Sequence, residues 1–159
     1  MNKVELVQKI IQHLEHKRQV TYASTQRAVD AATNEETVPE HKYDTLALEA
    51  AYLAHGQAMR LHENEEELRQ YRSLSVRSFT NLAVSVGAYV ELQDEDNCEK
   101  VFFIGPCAGG LKVDHEEKTV FVLTPHSPLG HALMGKRESD EFEVKIAGDV
   151  QFYELIKVC

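Results

Sequence analysis

Two series of residues in the first half of the chain follow the spacing of three and four that keeps one stripe of an α-helix facing a partner. The first series is apolar at its start and small or polar later: Val4, Val7, Ile11, Leu14, Arg18, Thr21, Thr25, Ala28 and Ala32. The second begins with small residues and ends with large ones: Ala47, Ala50, Ala54, Gln57, Leu61, Asn64, Leu68 and Tyr71. Because the two size gradients run in opposite directions, the pattern predicts two helices that pair antiparallel.

The stretch between the two series predicts the turn of this hairpin. It contains Pro39, the only proline before residue 80, and proline breaks the interior of a helix. Each arm has roughly 30 residues, which corresponds to a length on the order of 45 Å at about 1.5 Å per residue. Carboxylates cluster at the predicted tip, near residues 34–44: Glu35, Glu36, Glu40 and Asp44. A polar solvated turn explains them, and so does delivery of carboxylates to a Mg²⁺ ion held elsewhere.

Beyond residue 75 the pattern changes from helical spacing to alternation, and all six phenylalanines lie there. The alternation predicts strands over Ala83–Gln93, Cys98–Ile104, Thr119–Leu123, Glu141–Ile146 and Gln151–Val158. One short helix is predicted over Pro128–Met134, with Ser127 as its N-cap and Gly135 as its C-cap. We therefore expect an α+β protein. An N-terminal antiparallel α-helical coiled coil occupies residues 1–75, and an antiparallel β-sheet domain with one short helix occupies residues 76–159.

The composition of the chain argues against several classes of function. Lys and Arg number 17 against 26 Asp and Glu, a formal net charge of −9, which argues against broad attraction to nucleic acid or anionic membrane. No apolar run approaches the roughly 20 residues of a membrane span, so no membrane partner and a cytoplasmic protein are expected. Cys98, Cys107 and Cys159 are odd in number and widely spaced, which predicts neither a disulfide framework nor a zinc knuckle.

Other candidate chemistry is weakly supported by the residue pattern. His13 with His16, and His126 with His131, leave a zinc site short of ligands, so surface histidines are expected. Ser127 beside these histidines lacks a nucleophile elbow, which argues against a catalytic triad. The glycines of the second half form no phosphate-binding pattern and predict hairpin turns: Gly105, Gly109 and Gly110.

One run in the second half is distinctive. It consists of a Ser-Pro step, a small helix and a Gly-Lys turn, in Thr124-Pro125-His126-Ser127-Pro128-Leu129-Gly130-His131-Ala132-Leu133-Met134-Gly135-Lys136. This run resembles the C-terminal signature of the Gre transcription elongation factors, GreA and GreB, of bacterial RNA polymerase. Residues 87–90 are similar to that family's entry strand, and residues 152–158 are similar to its closing strand. The resemblance extends over nearly the whole chain.

The resemblance implies a C-terminal domain of FK506-binding-protein-like (FKBP-like) fold and a factor that is not itself an enzyme. It implies that the globular domain docks at the rim of the secondary channel of bacterial RNA polymerase, while the coiled coil reaches the active centre and the RNA 3′ end. Glu36 and Glu40 would there assist the Mg²⁺ of the polymerase, with no cofactor of the chain's own and the chain acting as a monomer. The residues implied to contact the partner are Ser127, Pro128, Leu129, Gly130, Gly135 and Lys136.

The predicted tip departs from the family pattern. Glu40 matches the family's tip glutamate, but the spacing from Glu40 to Tyr43 is one residue shorter, and Thr37 stands where the family has an aspartate. The nearest acid is displaced to Glu36. Two alternatives to cleavage stimulation therefore stay open: a regulator that occupies the channel without promoting cleavage, and a protein-interaction module without catalytic consequence.

Overall fold

The computed structural model describes residues 2–34 and 45–159. Two long helices come first, α1 over Lys3–Thr33 and α2 over Thr45–Arg72. Six strands and a short helix follow: β1 (Tyr89–Asp94), β2 (Glu99–Ile104), β3 (Lys112–His115), β4 (Lys118–Leu123), α3 (Pro128–Leu133), β5 (Glu141–Ile146) and β6 (Asp149–Val158). The predicted α+β class, with a helical hairpin before a sheet that carries one short helix, is confirmed.

The chain divides into two compact units, Ile11–Arg69 and the pair of segments Met1–Ile10 and Gln70–Cys159. The first turns of α1 therefore belong to the unit that contains the sheet. The domain boundary predicted between residues 75 and 76 stays a prediction.

In the helical unit, α1 and α2 run antiparallel, and polar contacts fix their register. The Asn64 side chain donates to the Thr21 hydroxyl at 2.7 Å, and the Thr25 hydroxyl donates to the backbone carbonyl of Gln57 at 3.1 Å. Thr25 and Asn64 are buried. The Thr25 hydroxyl also reaches the Thr21 carbonyl within α1 at 2.8 Å, whereas sliding one helix along the other would separate the buried Asn64 amide from the Thr21 hydroxyl.

The predicted helical stripes are largely confirmed by burial. Every member of the second series is buried or half-buried, as is every member of the first except Val4, which is 53% exposed. The predicted inward orientation of Val4 is wrong because the first turns of α1 belong to the unit with the sheet, where Leu6, Val7 and Ile10 are buried instead. Asn2 caps this end of α1, since its side-chain oxygen accepts from the backbone N–H of Glu5 at 3.2 Å.

The six strands form one sheet in the order β3-β4-β2-β1-β6-β5. Every neighbouring pair is antiparallel except β2 and β4, which are parallel. The predicted antiparallel sheet is confirmed, and the pair of β2 and β4 is its one parallel pair. The cause is β3, which the strand prediction missed: it forms the outer edge by pairing with β4, and this hairpin inserts β4 beside β2.

Several strand bounds also differ from the prediction. β1 begins at Tyr89 and not at Ala83, because Gly87 has a φ of +95° and interrupts the extended backbone. β3 is hard to recognise in the sequence because the turn after it consists of Glu116 and Glu117, at φ values of +48° and +63°, where glycine or asparagine would have signalled a hairpin. The remaining differences are shifts of one or two residues at strand ends.

The core of the sheet unit lies under α3, which packs against β5. It combines Leu129 and Leu133 of α3 with buried residues of five other segments: Phe79, Val84, Ala88, Val90, Leu92, Phe102, Ile104, Phe142, Val144, Tyr153, Leu155 and Val158. α3 is therefore fixed to the sheet by its apolar face, and its other face is presented outward.

Candidate functional site

The Ser-Pro step that begins α3 is held by two hydrogen bonds of one hydroxyl. The Ser127 side chain accepts from the backbone N–H of Gly130 at 3.1 Å, which confirms the predicted N-cap. The same hydroxyl donates to the backbone carbonyl of Thr124 at 2.8 Å. Both roles of the hydroxyl are therefore structural, which agrees with the argument against Ser127 as a nucleophile.

Gly130 occupies a position where no side chain fits. A Cβ atom built there would lie 2.0 Å from the carbonyl oxygen of Thr124 and 2.7 Å from the Ser127 hydroxyl. The helix can therefore approach the segment before it closely only because residue 130 is glycine. This close approach places Pro128 at the outer surface of the unit, where it is exposed.

The Gly-Lys turn after α3 is tied to the segment before β1. The predicted C-cap at Gly135 is wrong by one residue: Met134 is the C-cap, and Gly135 follows it with a φ of +81°, a conformation that glycine adopts without strain. The Gly135 N–H donates to the Val84 carbonyl at 2.9 Å, and the Val84 N–H donates to the Lys136 carbonyl at 2.8 Å. These two bonds fix the backbone from which the Lys136 side chain projects.

The structure divides the six predicted partner-binding residues by exposure. Pro128 and Gly135 are exposed, Ser127 and Lys136 are half-buried, and Leu129 and Gly130 are buried. The two buried residues have a structural place: Leu129 packs in the core and Gly130 allows the close approach. A partner that binds this region would contact the exposed and half-buried ones, and His131 and Arg137 are further exposed side chains around them.

Both predicted tip residues, Glu36 and Glu40, lie outside the described residues. What the structure describes is the pair of helices on either side of them, α1 to Thr33 and α2 from Thr45. Along this hairpin, Arg18 pairs with Glu65 at 3.1 Å and Lys17 pairs with Glu67 at 2.8 Å. These exposed ion pairs contribute little stability each, but their register agrees with that of the buried polar contacts.

Within residues 2–34 and 45–159, no group of three or more histidine, cysteine, aspartate and glutamate side chains is arranged to hold a metal ion. In the same ranges, no helix is both long and apolar enough to cross a membrane. Cys98, Cys107 and Cys159, all within the described ranges, form no disulfide. The predicted hairpin role of Gly105, Gly109 and Gly110 is wrong, because they lie between β2 and β3, which are not neighbours in the sheet. Gly105 is instead a close-approach position: a Cβ there would lie 2.1 Å from the hydroxyl of Tyr71, which donates to the Cys107 carbonyl.

Two buried titratable side chains give no signal in the sequence pattern. Lys3 reaches the backbone carbonyls of Arg77 and Gly87, and its ammonium lies 4.6 Å from the centre of the Phe79 ring. Burial lowers the pKa of Lys3 below the usual lysine value. His115, at the end of β3, is 2% exposed, and neither ring nitrogen has a hydrogen-bond partner within the described chain. Helical and strand spacing could not reveal either residue, because both positions become buried only through tertiary packing.

Comparison with known proteins finds similarity to transcription elongation factors. A family model described as "Transcription elongation factor, GreA/GreB, C-term" matches residues 80–159, half of the chain. The transcription elongation factor GreA of Bartonella tribocorum is 30% identical over 101 residues, which cover 62% of this chain and 60% of that protein. GreA of Nautilia profundicola is 36% identical over 76 residues, which cover 48% of this chain and 44% of the relative. The matches thus span less than two thirds of the length of these relatives.

Solved structures give more distant likenesses. GreA factor homolog 1 (Gfh1) of Thermus thermophilus has a TM-score of 0.41 at 16% identity, over 94% of each chain. A GreA/GreB factor of Nitrosomonas europaea has a TM-score of 0.37 at 19% identity, over 64% of this chain and 90% of that one. Such scores carry no functional argument, so the family assignment depends on the sequence matches.

Proposed function

The chain belongs to the GreA/GreB family of transcription elongation factors, and from that premise we propose that it binds bacterial RNA polymerase at the secondary channel and stimulates cleavage of backtracked RNA. In this proposal the unit that contains α3 docks at the channel rim, and the helical hairpin extends toward the polymerase active centre. The main support is the match of residues 80–159, because it contains the whole of α3 and its two flanking turns.

The chemistry of cleavage belongs to the polymerase. Mg²⁺ takes oxygen ligands and is held by one or two carboxylates together with water and phosphate oxygens. Glu36 and Glu40 would supply carboxylate oxygens to a Mg²⁺ ion of the polymerase and help to orient the attacking water. The chain thus acts as a factor that completes another protein's active site, and needs no cofactor of its own.

The shortened spacing at the tip favours a second candidate. Thr37 replaces an acid of the family pattern, and Glu40 stands one residue closer to Tyr43. Metal ligation tolerates little displacement of an oxygen, so in this second candidate the tip enters the channel without promoting cleavage. The factor would then inhibit or tune the polymerase by occupancy.

A transcript-cleavage assay on stalled, backtracked elongation complexes separates the two candidates. We expect the wild type to shorten the transcript with Mg²⁺ present, and Glu36→Gln or Glu40→Gln to slow cleavage by roughly tenfold or more, because each removes charge from a metal-facing oxygen. Glu63→Gln, an exposed acid on α2, is the matched control and should cleave like the wild type. If the wild type does not cleave but displaces a secondary-channel factor, the second candidate replaces the first.

Docking through the α3 region is tested separately. Lys136→Glu reverses a half-buried charge on the turn after α3, whereas Lys145→Glu reverses an exposed charge on β5. We expect the first to weaken polymerase binding by roughly tenfold and the second to leave it unchanged. Equal affinities for both variants would exclude the α3 region as the docking surface. Absence of any binding by the wild type would remove both candidates and favour an interaction module for another partner.

A further inference from the structure

An aromatic groove lies where β1 ends beside the hairpin of β5 and β6. β1 pairs with β6 as far as Asp94 opposite Tyr153, but β6 begins earlier, at Asp149. The first residues of β6 therefore extend past the end of β1 and pair only with β5. The resulting notch is a cavity of about 270 Å³ lined by the turn after β1 and by both strands of the hairpin: Gln93, Asp94, Glu95, Asn97, Glu141, Phe142, Phe152, Tyr153 and Glu154.

Three aromatic residues line this notch, on the two faces of the sheet. Phe142 and Tyr153 are buried on the core face and in contact, with ring centres 6.0 Å apart. Phe152, the residue before Tyr153 on β6, points to the opposite face and is 48% exposed. A second cavity of about 210 Å³ shares Asp94, Glu95, Phe152 and Tyr153 with the first, so the notch is open on both sides of the sheet end. A large exposed aromatic beside an open cavity is a common feature of recognition sites.

Acidic side chains at the rim of the groove favour a positively charged ligand. Glu141 lies directly opposite Glu154 in the register of β5 and β6, and like charges in this position lower stability. Neither of them, nor Glu95, makes an ion pair within the described residues. Lys100, a basic residue at the second cavity, is already paired with Asp94 at 3.1 Å. The face that carries Phe152 therefore presents uncompensated carboxylates beside one exposed aromatic ring.

One contact on the other face of the sheet end is an example of cation stacking nearby. The ammonium of Lys100 lies 5.5 Å from the centre of the Tyr153 ring, and the Tyr153 side chain points to the face opposite that of Phe152. Within residues 2–34 and 45–159, no lysine or arginine stacks on the exposed ring of Phe152. A planar cation would stack on Phe152 and pair with Glu141 and Glu154 at once.

We propose that this groove binds an arginine side chain presented by the surface of a partner protein. A guanidinium group fits better than an ammonium because it is planar, stacks on aromatic rings and offers a fork of donors to two neighbouring carboxylates. Its weaker hydration also lowers the cost of entering a partly apolar cavity. The proposal concerns a surface of the sheet unit distinct from α3, and it does not rest on the proposed function.

A titration of the ¹⁵N-labelled full chain with a blocked Gly-Arg-Gly tripeptide tests it by amide chemical shifts. We expect saturable shifts confined to the groove, at Glu95, Asn97, Glu141, Phe152 and Glu154. The same tripeptide with citrulline, which is planar but uncharged, should bind at least roughly tenfold more weakly because the charge-assisted bonds are lost. A lysine tripeptide should also bind more weakly than arginine.

Two variants and a matched control connect the shifts to the groove. Phe152→Ala removes the exposed ring, and Glu154→Gln removes one rim charge without changing its shape. Each should weaken binding severalfold, whereas Glu117→Gln, on the β3–β4 turn at the opposite edge of the sheet, should not. If Phe152→Ala perturbs the whole sheet, Glu154→Gln decides the outcome.

Three results would overturn the proposal: shifts spread over all acidic surfaces, equal affinity for the arginine and citrulline peptides, or equal affinity for the arginine and lysine peptides. The first would show nonspecific attraction to a chain of net charge −9. The other two would show that the groove does not recognise a guanidinium.

Discussion

Gly130 should tolerate no side chain, although it lies in a helix, where alanine is normally the better residue. Elsewhere in a helix interior, replacing glycine by alanine stabilises a protein by about 0.5–1 kcal/mol. At Gly130 the added Cβ would lie 2.0 Å from the carbonyl oxygen of Thr124, and the group it meets is backbone, which cannot turn aside as a side chain would. We therefore expect Gly130→Ala to displace α3 from the segment before it.

The loss of stability in Gly130→Ala can be estimated from the contacts that α3 loses when it is displaced. Displacement breaks the hydrogen bond from Ser127 to the Thr124 carbonyl and loosens the Ser127 cap, each worth about 1 kcal/mol. Displacing α3 also disturbs the packing of Leu129 and Leu133 in the core, which costs about 1–3 kcal/mol more. After the gain in helix propensity is subtracted, the free energy of unfolding should fall by about 2–4 kcal/mol.

Gly56 supplies the matched control, because a Cβ there meets nothing within 4 Å and the residue lies inside α2. Gly56→Ala should raise the stability of the helical unit by about 0.5–1 kcal/mol. Urea unfolding followed by amide signals of each unit separates the two effects, since the residues belong to different units. The reasoning is refuted if Gly130→Ala is as stable as the wild type, or if both substitutions change stability in the same direction.

Two further predictions concern other positions. Burial raises the pKa of Tyr89 above its usual value of 10.0, so the unfolded chain releases this proton first and stability falls as the pH rises above about 10. Tyr89→Phe should make that alkaline slope shallower, and an unchanged slope would show that the hydroxyl ionises freely in the folded chain. Asn64→Ala and Thr21→Ala should each destabilise the helical unit, and a double-mutant cycle should give a coupling of about 1 kcal/mol, with additivity contradicting the contact.

Local patterns in the sequence were sufficient for several elements. The second helical series placed all its members correctly, because the spacing of three and four depends only on the geometry of one helix. The cap at Ser127 and the left-handed Gly135 were also predictable, since both depend on neighbouring residues. The run from Thr124 to Lys136 was distinctive enough to indicate the family by itself, because it is continuous in the chain.

Tertiary structure decided the rest, because the deciding contacts join residues far apart in the chain. Val4 points outward and Leu6 inward because the start of α1 belongs to the unit with the sheet. β4 lies parallel to β2 because β3, four residues long, takes the edge position. The groove beside Phe152 exists because β6 extends past the end of β1, and strand overhang is a property of register. The sequence alone determined which segments form helices and most strands, whereas the burial of His115 and the opening of the groove required the packed sheet.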